Sequence, residues 1–251
     1  MARMTELVKY AAAGGIATLT FDSPHNRNAL SRQLVTELYA GLERAEADDD
    51  VKVVVIGAEG KVFCSGADLS EAAEGSMEEG AKGIVDLQRR IVAFAKPVVT
   101  RVYGAVRAGG IGIVAASDIA ISADDATFAL TEVKLALAPA AISLTVLPRM
   151  TSRAGAYACL TGAKFTGAEA AEWGLVTRAV PADELDDAVA AVCAELATGA
   201  AQGLRETKAL LARDLLDRMD ARGDDLAALS GRLFGSDAAR EAMLAFLSRK
   251  K

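Results

Sequence analysis

The sequence predicts an α/β fold for the first part of the chain, followed by a helical region. Two patterns predict the strands: Ile16–Phe21 alternates apolar and polar side chains, and Val51–Ala58 is a run rich in β-branched residues. After about residue 140 the apolar positions recur at helical spacing instead. The boundary is soft, because no linker rich in Gly, Ser or Pro marks it.

The first half of the chain alternates strands with helices. After the Ile16–Phe21 strand, Leu34 and its repeats every four residues predict an amphipathic helix with Ser31 as N-cap. Residues 61–70 predict a loop around Gly66. Residues 71–83 are acidic, contain three glycines and show no period, which predicts a mobile surface segment. Short apolar runs then predict a helix over 84–95, a buried helix over 113–116 and strands over 97–102, 118–122 and 126–130.

The second half is predicted to be helical throughout. Thr166 and Glu169 have the spacing of a capping box, and Gly174 is the expected C-cap of the helix that they begin. Amphipathic patterns predict three more helices, over 182–196, 204–219 and 237–247.

Composition excludes several classes of function. The 251 residues carry 28 Lys and Arg against 34 Asp and Glu, a net charge of −6, so a nucleic-acid partner is not expected. One His and three separated cysteines, Cys64, Cys159 and Cys193, argue against a zinc site or a disulfide framework. We therefore expect chemistry based on carboxylates and backbone amides, with no metal.

No apolar segment is long enough to cross a membrane. The longest, Leu135–Leu147, is interrupted by Pro139 and falls short of the roughly 20 apolar residues that a span needs. Glu6 and Lys9 stand where a signal peptide would be apolar. We expect a cytoplasmic protein without a membrane partner.

Two glycine-marked turns follow predicted strands. One surrounds Gly66, and the other runs from Gly104 to Gly112 and opens into a helix. Glycine lets the backbone approach a ligand, and the N–H groups of a first helical turn have no partner within the helix. Two such turns on neighbouring strands could each direct one N–H at the same oxygen, which is an oxyanion hole. Either turn alone is equally well explained by close helix–sheet packing.

Several motifs occur together in one order along the chain. The motifs are Asn28-Ala29-Leu30-Ser31, Phe63-Cys64-Ser65-Gly66-Ala67-Asp68-Leu69, Lys96-Pro97-Val98-Val99, Ala108-Gly109-Gly110, Asp118-Ile119-Ala120, 128–132, Leu160-Thr161-Gly162, 170–176 and Ala245-Phe246-Leu247. This series resembles the enoyl-CoA hydratase/isomerase (crotonase) superfamily over essentially the whole sequence.

The resemblance implies a site for an acyl-CoA thioester. The family's two oxyanion-hole N–H groups fall on Ala67 and Gly109, where they would hold the thioester oxygen and stabilise an enolate. Coenzyme A would lie along Ser65, Ala67 and Leu69. Hydratases often carry a Lys directly after this loop; Ser70 stands there, and Arg27 could replace it. Coenzyme A enters as part of the substrate, and no other cofactor is implied.

The resemblance also implies one acid–base residue and the loss of another. Typical hydratases place two glutamates around the reacting carbons. The position of the second is Glu132, which would exchange a proton with Cα, whereas the position of the first is Gly112. Apolar neighbours such as Val133 and Leu135 predict that Glu132 is desolvated, which raises a carboxyl pKa. From local sequence alone, a surface glutamate at a strand–helix turn is the competing interpretation.

These features leave three functions open. The leading hypothesis is an enoyl-CoA hydratase that adds water to 2-enoyl-CoA to give 3-hydroxyacyl-CoA. A Δ3–Δ2 enoyl-CoA isomerase needs only one base, and a non-catalytic acyl-CoA-binding protein needs none. The family implies a crotonase-like spiral of ββα units over residues 1–190, which holds the acyl-CoA site. Residues 191–251 would form a helical region for oligomerisation or for a lid, in a homotrimer or homohexamer. The sequence does not specify the acyl-chain length of the substrate.

Overall fold

A six-stranded sheet forms the main layer of the molecule. The computed structural model describes residues 5–68, 71 and 77–248. The strands are β1 Val8–Ala13, β2 Ile16–Phe21, β3 Val53–Ala58, β4 Val62–Cys64, β5 Val98–Val102, β6 Ala105–Arg107, β7 Ile119–Ala123, β8 Thr127–Ala129, β9 Phe165–Thr166 and β10 Arg178–Val180. In the six-stranded sheet the order is β1-β2-β3-β5-β7-β10, and in a smaller sheet it is β4-β6-β8-β9.

The predicted strands form the centre of the large sheet. β3 lies between β2 and β5 and is parallel to both, so its β-branched side chains are buried on both faces, from Val53 to Ile56. β1 adds an antiparallel edge, pairing Val8 with Phe21. The α/β class is therefore confirmed, with a mostly parallel sheet.

Nine helices lie in the described part of the chain. They are α1 Arg32–Ala47, α2 Met77–Val92, α3 Gly109–Ala116, α4 Ala140–Arg149, α5 Ser152–Thr161, α6 Gly167–Glu172, α7 Leu185–Thr198, α8 Ala201–Phe234 and α9 Asp237–Ser248. The Ser31 hydroxyl caps α1 as predicted, accepting from the Leu34 N–H at 3.2 Å. The capping box of Thr166 and Glu169 is also present at the start of α6, and Gly174 follows the C-cap Trp173 with φ +86°.

Four local predictions are wrong. The segment 61–70 is not only loop, because residues Val62–Cys64 form β4. The turn predicted over 104–112 likewise contains β6 and, from Gly109, the start of α3. The surface segment proposed for 71–83 is helical from Met77 onward, since α2 begins seven residues before the predicted start. The region after residue 140 is not all helix: Phe165–Thr166 extends the small sheet and Arg178–Val180 the large one. These strands are two or three residues long, too short for a period to show in sequence.

Helix α8, the longest helix given above, docks on the core through a buried cation. Lys208 is 5% exposed, and its Nζ donates to the Ile91 and Lys96 carbonyls and lies 2.7 Å from the Asp118 carboxylate. Asp118 also accepts from the Val98 N–H at 2.7 Å. Burial lowers the Lys208 pKa, and Asp118 opposes that shift. No helix in residues 5–68 or 77–248 combines the length and apolarity of a membrane span.

Candidate active site

Three adjacent parallel strands of the small sheet end at one edge. β6 lies between β4 and β8 and is parallel to both. The carboxyl ends of parallel strands meet at the same edge, and neighbouring strands lie about 4.8 Å apart. The chain leaving β4 reaches Ala67, that leaving β6 reaches Gly109, and that leaving β8 reaches Glu132. The structure therefore brings these three residues to one edge of one sheet.

The first loop is held by pairing with the segment before α1. The Leu30 N–H donates to the Gly66 carbonyl at 2.8 Å, and the Asp68 N–H donates to the Leu30 carbonyl at 3.4 Å. This parallel bridge uses the groups on either side of Ala67, so the Ala67 N–H faces away from Leu30. It makes no hydrogen bond within the described part of the chain, and Ala67 is exposed. That N–H is available to a ligand.

The second loop presents Gly109 at the start of a buried helix. Gly109 is the first residue of α3, so its N–H has no acceptor within the helix. The preceding Ala108 has φ +43°, a conformation that non-glycine residues adopt rarely. Such strain persists only where the surrounding structure imposes it, and it is concentrated at functional sites.

The two loops touch each other at Gly66. Its φ is +95°, and a Cβ built there would lie 2.8 Å from the Ala108 Cβ and 3.7 Å from the Gly109 backbone nitrogen. Only glycine allows this approach, because any side chain at position 66 would push the loops apart. The donors on either side of the contact, on Ala67 and Gly109, are therefore neighbours in space.

Glu132 begins a short 3₁₀ turn, Glu132–Leu135, directly after β8. Its Oε2 atom is buried and has no hydrogen-bond partner among the described residues. Burial raises the pKa of this carboxyl, and a hydrogen bond to its own backbone only partly opposes the shift. A desolvated carboxyl with a raised pKa accepts a proton more readily than an exposed one, which suits a group that accepts and then returns a proton. The competing interpretation of Glu132 as a solvated surface residue does not fit this environment.

Position 112 has no room for a carboxylate. A Cβ on Gly112 would lie 2.9 Å from Ile142 Cγ2 and 3.0 Å from both Cδ and Oε1 of Gln88. Gln88 is completely buried: its amide donates to the Ile84 and Ala141 carbonyls, and its Oε1 accepts from the Thr145 hydroxyl at 2.5 Å. Glu132 is therefore the acid–base candidate that the described structure offers at this edge.

The remaining predicted contacts lie beside the first loop. The Ser65 N–H donates to the Arg27 carbonyl at 3.2 Å, so Arg27 and Ser65 are neighbours. Arg27 is exposed and has φ +61°, and Ser65 is partly exposed. Both can contact a ligand along the loop. Leu69 lies outside the described residues.

Three residues shape this edge in ways that the sequence did not predict. Asn28 is fully buried and donates to the Glu59 and Val62 carbonyls, which ties the turn before α1 to β4. Its sequence signal is indistinguishable from that of a solvated turn residue. Gln88 was detectable, because it shares a helical face with Ile84 and Ile91. The strain at Ala108 has no sequence signal.

Comparison with known proteins identifies the family. A sequence model of the enoyl-CoA hydratase/isomerase family matches residues 11–251. The chain belongs to this family, and its fold is that of crotonase-type enzymes, as the resemblance implied.

Solved structures and a curated relative agree with this assignment. An enoyl-CoA hydratase from Mycobacterium avium is 45% identical, with a TM-score of 0.92 over 98% of both chains. A second enoyl-CoA hydratase, from Mycobacterium avium subsp. paratuberculosis K-10, is 29% identical, with a TM-score of 0.85 over 97% of this chain and 96% of the other. The peroxisomal Delta(3,5)-Delta(2,4)-dienoyl-CoA isomerase of Arabidopsis thaliana is 28% identical over 98% of this chain and 95% of its own length.

Proposed function

We propose that this protein adds water to the double bond of 2-enoyl-CoA thioesters and releases 3-hydroxyacyl-CoA. The observation that carries the proposal is the common edge of β4, β6 and β8, which holds two unpaired backbone donors and one buried carboxyl. The relatives from Mycobacterium avium that are named enoyl-CoA hydratases support it.

The backbone donors stabilise negative charge on the thioester. In the proposed complex the thioester oxygen accepts hydrogen bonds from the N–H groups of Ala67 and Gly109. These bonds strengthen as the carbonyl becomes an enolate, so they lower the barrier more than they favour the ground state. Loss of one such donor typically costs about 10²–10³ in rate. Because both donors belong to the main chain, the backbone geometry of the two loops controls this contribution.

Glu132 performs both proton transfers. Its carboxylate accepts a proton from water while the water oxygen bonds to Cβ, and the π electrons move to give the enolate. The protonated Glu132 then returns this proton to Cα as the thioester carbonyl re-forms. The raised pKa suits both steps, since burial makes the protonated form, which returns the proton to Cα, easier to reach than in an exposed glutamate. The cycle needs no metal or redox cofactor, and Ser65, Leu69 and Arg27 are proposed as contacts to the coenzyme A moiety.

Glu132→Gln tests the proposal directly. Loss of a positioned acid–base group costs about 10²–10⁴ in rate, so hydration of a 2-enoyl-CoA, followed by loss of its conjugated absorbance, falls by that factor. The exposed Glu172 provides the matched control, since Glu172→Gln leaves the rate within twofold. An unchanged rate in Glu132→Gln contradicts the proposal, and acyl-CoA binding without turnover in the wild type indicates a binding protein.

Stability separates a chemical role from a folding defect. Burial raises the pKa of the Glu132 carboxyl, so the free energy of unfolding of the protein falls as pH rises through that pKa. Above it the folded state holds a buried charge. Glu132→Gln removes this charge, so at neutral pH the variant unfolds at the same urea concentration as the wild type or a higher one. Lost activity in a stable variant then reflects chemistry.

A Δ3–Δ2 enoyl-CoA isomerase is the second candidate, and the closed space at Gly112 favours it. With its buried carboxyl at the edge, Glu132 could remove a proton from C2 of a 3-enoyl-CoA and return it to C4. The likeness to a dienoyl-CoA isomerase points the same way. Separate incubations with 3-enoyl-CoA and with 2-enoyl-CoA decide between the two activities. An isomerase generates conjugated absorbance from 3-enoyl-CoA, whereas a hydratase removes the conjugated absorbance of 2-enoyl-CoA.

We also propose that the chain assembles as a homotrimer or homohexamer. Leu210 and Leu211 on α8 and Leu244 on α9 are each more than 60% exposed, and exposed apolar side chains of this size favour burial against a partner. Sedimentation equilibrium at micromolar concentration is expected to give three or six chains per particle. A monomer would contradict this proposal.

A further inference from the structure

The first turn of helix α3 carries only one side chain beyond hydrogen. Three of its four residues, Gly109, Gly110 and Gly112, are glycines. Helices are normally held in place by side chains that interlock with those of their neighbours. The position of this turn, and with it the direction of the Gly109 N–H, therefore depends on the groups that pack against its backbone.

The amide of Gln88, on helix α2, packs against this turn. A Cβ on Gly112 would lie 3.0 Å from both Cδ and Oε1 of Gln88, so the amide lies directly against the helix backbone. One turn earlier on α2, Ile84 occupies the same place at the donor, since its Cδ1 would lie 3.4 Å from a Cβ on Gly109. Helix α2 therefore lies along the first turn of α3, from the donor to Gly112.

The Gln88 amide also joins this turn to helix α4. Its Nε2 atom donates to the Ala141 carbonyl at 3.2 Å, and its Oε1 atom accepts from the Thr145 hydroxyl at 2.5 Å. The other N–H of the amide donates to the Ile84 carbonyl at 2.9 Å. Gln88 and Thr145 are both completely buried. Both amide hydrogens and the amide oxygen therefore have partners inside the protein.

Helix α4 is the element that follows the Glu132 turn. The Leu137 N–H donates to the Glu132 carbonyl at 3.0 Å, and α4 begins three residues later, at Ala140. Gln88 thus bridges the helix that begins at the proposed donor and the helix that follows the proposed acid. Hydrogen bonds are directional, whereas apolar contacts are not. A bridge of this kind fixes a relative orientation that apolar packing alone leaves free.

We propose that Gln88 and Thr145 are positioning residues, which hold the Gly109 donor in the geometry that the reaction needs relative to Glu132. This inference rests on the proposed function, since it takes both groups to act on one thioester. Neither Gln88 nor Thr145 is a catalytic residue, because both are completely buried and bonded to each other. Breaking their bond is expected to lower kcat much more than it changes KM, because it shifts the donor after the substrate has bound.

Thr145→Val provides the first test. Valine has nearly the shape of threonine but no hydroxyl, so this variant leaves the Gln88 Oε1 atom buried without its partner. A displacement of about 1 Å can cost about 10²-fold in rate, so we expect kcat for 2-enoyl-CoA to fall about 10–100-fold while KM stays within about threefold. Gln88→Met removes the whole amide and is expected to lower kcat at least as far.

Two further variants separate positioning from stability. Thr145→Ser keeps the hydroxyl but loses a buried methyl group, so it unfolds at a lower urea concentration and still keeps kcat within about twofold. Ser122→Ala removes another completely buried hydroxyl, one that donates to the Ala123 carbonyl on β7 of the large sheet, and leaves kcat unchanged. If Thr145→Val loses no more kcat than Thr145→Ser or Ser122→Ala, the inference is overturned.

Acetoacetyl-CoA gives a second readout that does not depend on turnover. This 3-oxoacyl thioester loses a proton from C2 to the solvent, and the enolate that forms is detected by its near-ultraviolet absorbance. Donors at the thioester oxygen stabilise the enolate, so the bound ligand is expected to be more enolised than the free one at the same pH. Thr145→Val is expected to lower this enolate fraction, and Thr145→Ser to keep it.

The two assays separate the failure of this inference from that of the proposed function. No turnover of any enoyl-CoA by the wild type, together with an enolate fraction that Thr145→Val lowers, overturns the proposed reaction and keeps the positioning of the donor. Turnover by the wild type, with kcat and the enolate fraction unchanged in Thr145→Val, overturns the positioning role alone. A change in KM without one in kcat also overturns it, because the bridge then affects substrate binding only.

Discussion

Gly66→Ala is the substitution that tests the contact between the two donor loops. Gly66 has φ +95°, and a Cβ there would lie 2.8 Å from the Ala108 Cβ, closer than real Cβ contacts come. An L-residue in a left-handed conformation costs about 1–2 kcal/mol. The overlap adds a second effect, because Ala108 is the residue before the donor Gly109 and must move with it.

Gly66→Ala is expected to lower the activity of molecules that remain folded. A displacement of about 1 Å in a catalytic group can cost about 10²-fold in rate, and loss of one oxyanion donor about 10²–10³-fold. We therefore expect kcat for 2-enoyl-CoA to fall about 100-fold or more. The free energy of unfolding, measured by urea titration, falls by about 2–5 kcal/mol, which combines about 1–2 kcal/mol for the left-handed conformation with about 1–3 kcal/mol for the overlap.

Gly14→Ala is the matched control for the backbone effect. Gly14 also has a positive φ, +58°, but no described atom lies within 4 Å of a Cβ built there. This variant carries a comparable conformational cost away from the site, so its stability falls by about 1–2 kcal/mol while its kcat stays within twofold. If Gly66→Ala loses no more activity than Gly14→Ala, the two loops do not form the catalytic donor pair.

Three further predictions concern charge and packing around the site. The low-pH side of the kcat/KM profile reports ionisation of Glu132. We expect kcat/KM to rise with pH through a pKa above the ordinary glutamate value of about 4.3. An apparent pKa at or below that value contradicts the burial argument. Lys208→Met leaves Asp118 without its buried partner and lowers the free energy of unfolding, measured in urea, by about 3–5 kcal/mol. A loss below about 1 kcal/mol shows that helix α8 does not need this ion pair to dock on the core. Gly112→Ala overpacks the space next to Gln88 and lowers the free energy of unfolding by about 1–3 kcal/mol. Adding Gln88→Ala to this variant partly restores the lost stability. Equal stability of the wild type and Gly112→Ala refutes the close contact.

Local periodicity was sufficient for the elements that define the large sheet. β2 shows a clear alternation, and the leucine spacing of α1, capped by Ser31, gives one helical face that is completely buried. The start of α2 was missed because Gly80 and Gly83 obscure the helical pattern. No described atom lies within 4 Å of a Cβ built on either glycine. Packing therefore does not require an apolar residue at these two positions, and the helical pattern of apolar residues is interrupted there.

The candidate site was predictable in its parts but not in its geometry. Motif order assigned Ala67, Gly109 and Glu132, and the structure places all three at one sheet edge. The strands that deliver them are three residues long, so their pairing depends on contacts between distant segments. The closed space at Gly112 likewise depends on Gln88, 24 residues earlier (112 − 88), and no local pattern contains that information.

The most direct test of the central claim is a crystal structure with a saturated acyl-CoA bound. The account predicts that the thioester oxygen lies about 2.7–3.1 Å from the backbone nitrogens of both Ala67 and Gly109. It also predicts a Glu132 carboxylate oxygen about 3–3.5 Å from Cα of the acyl group. A thioester oxygen held by neither nitrogen, or a Glu132 side chain turned away from Cα, would contradict it.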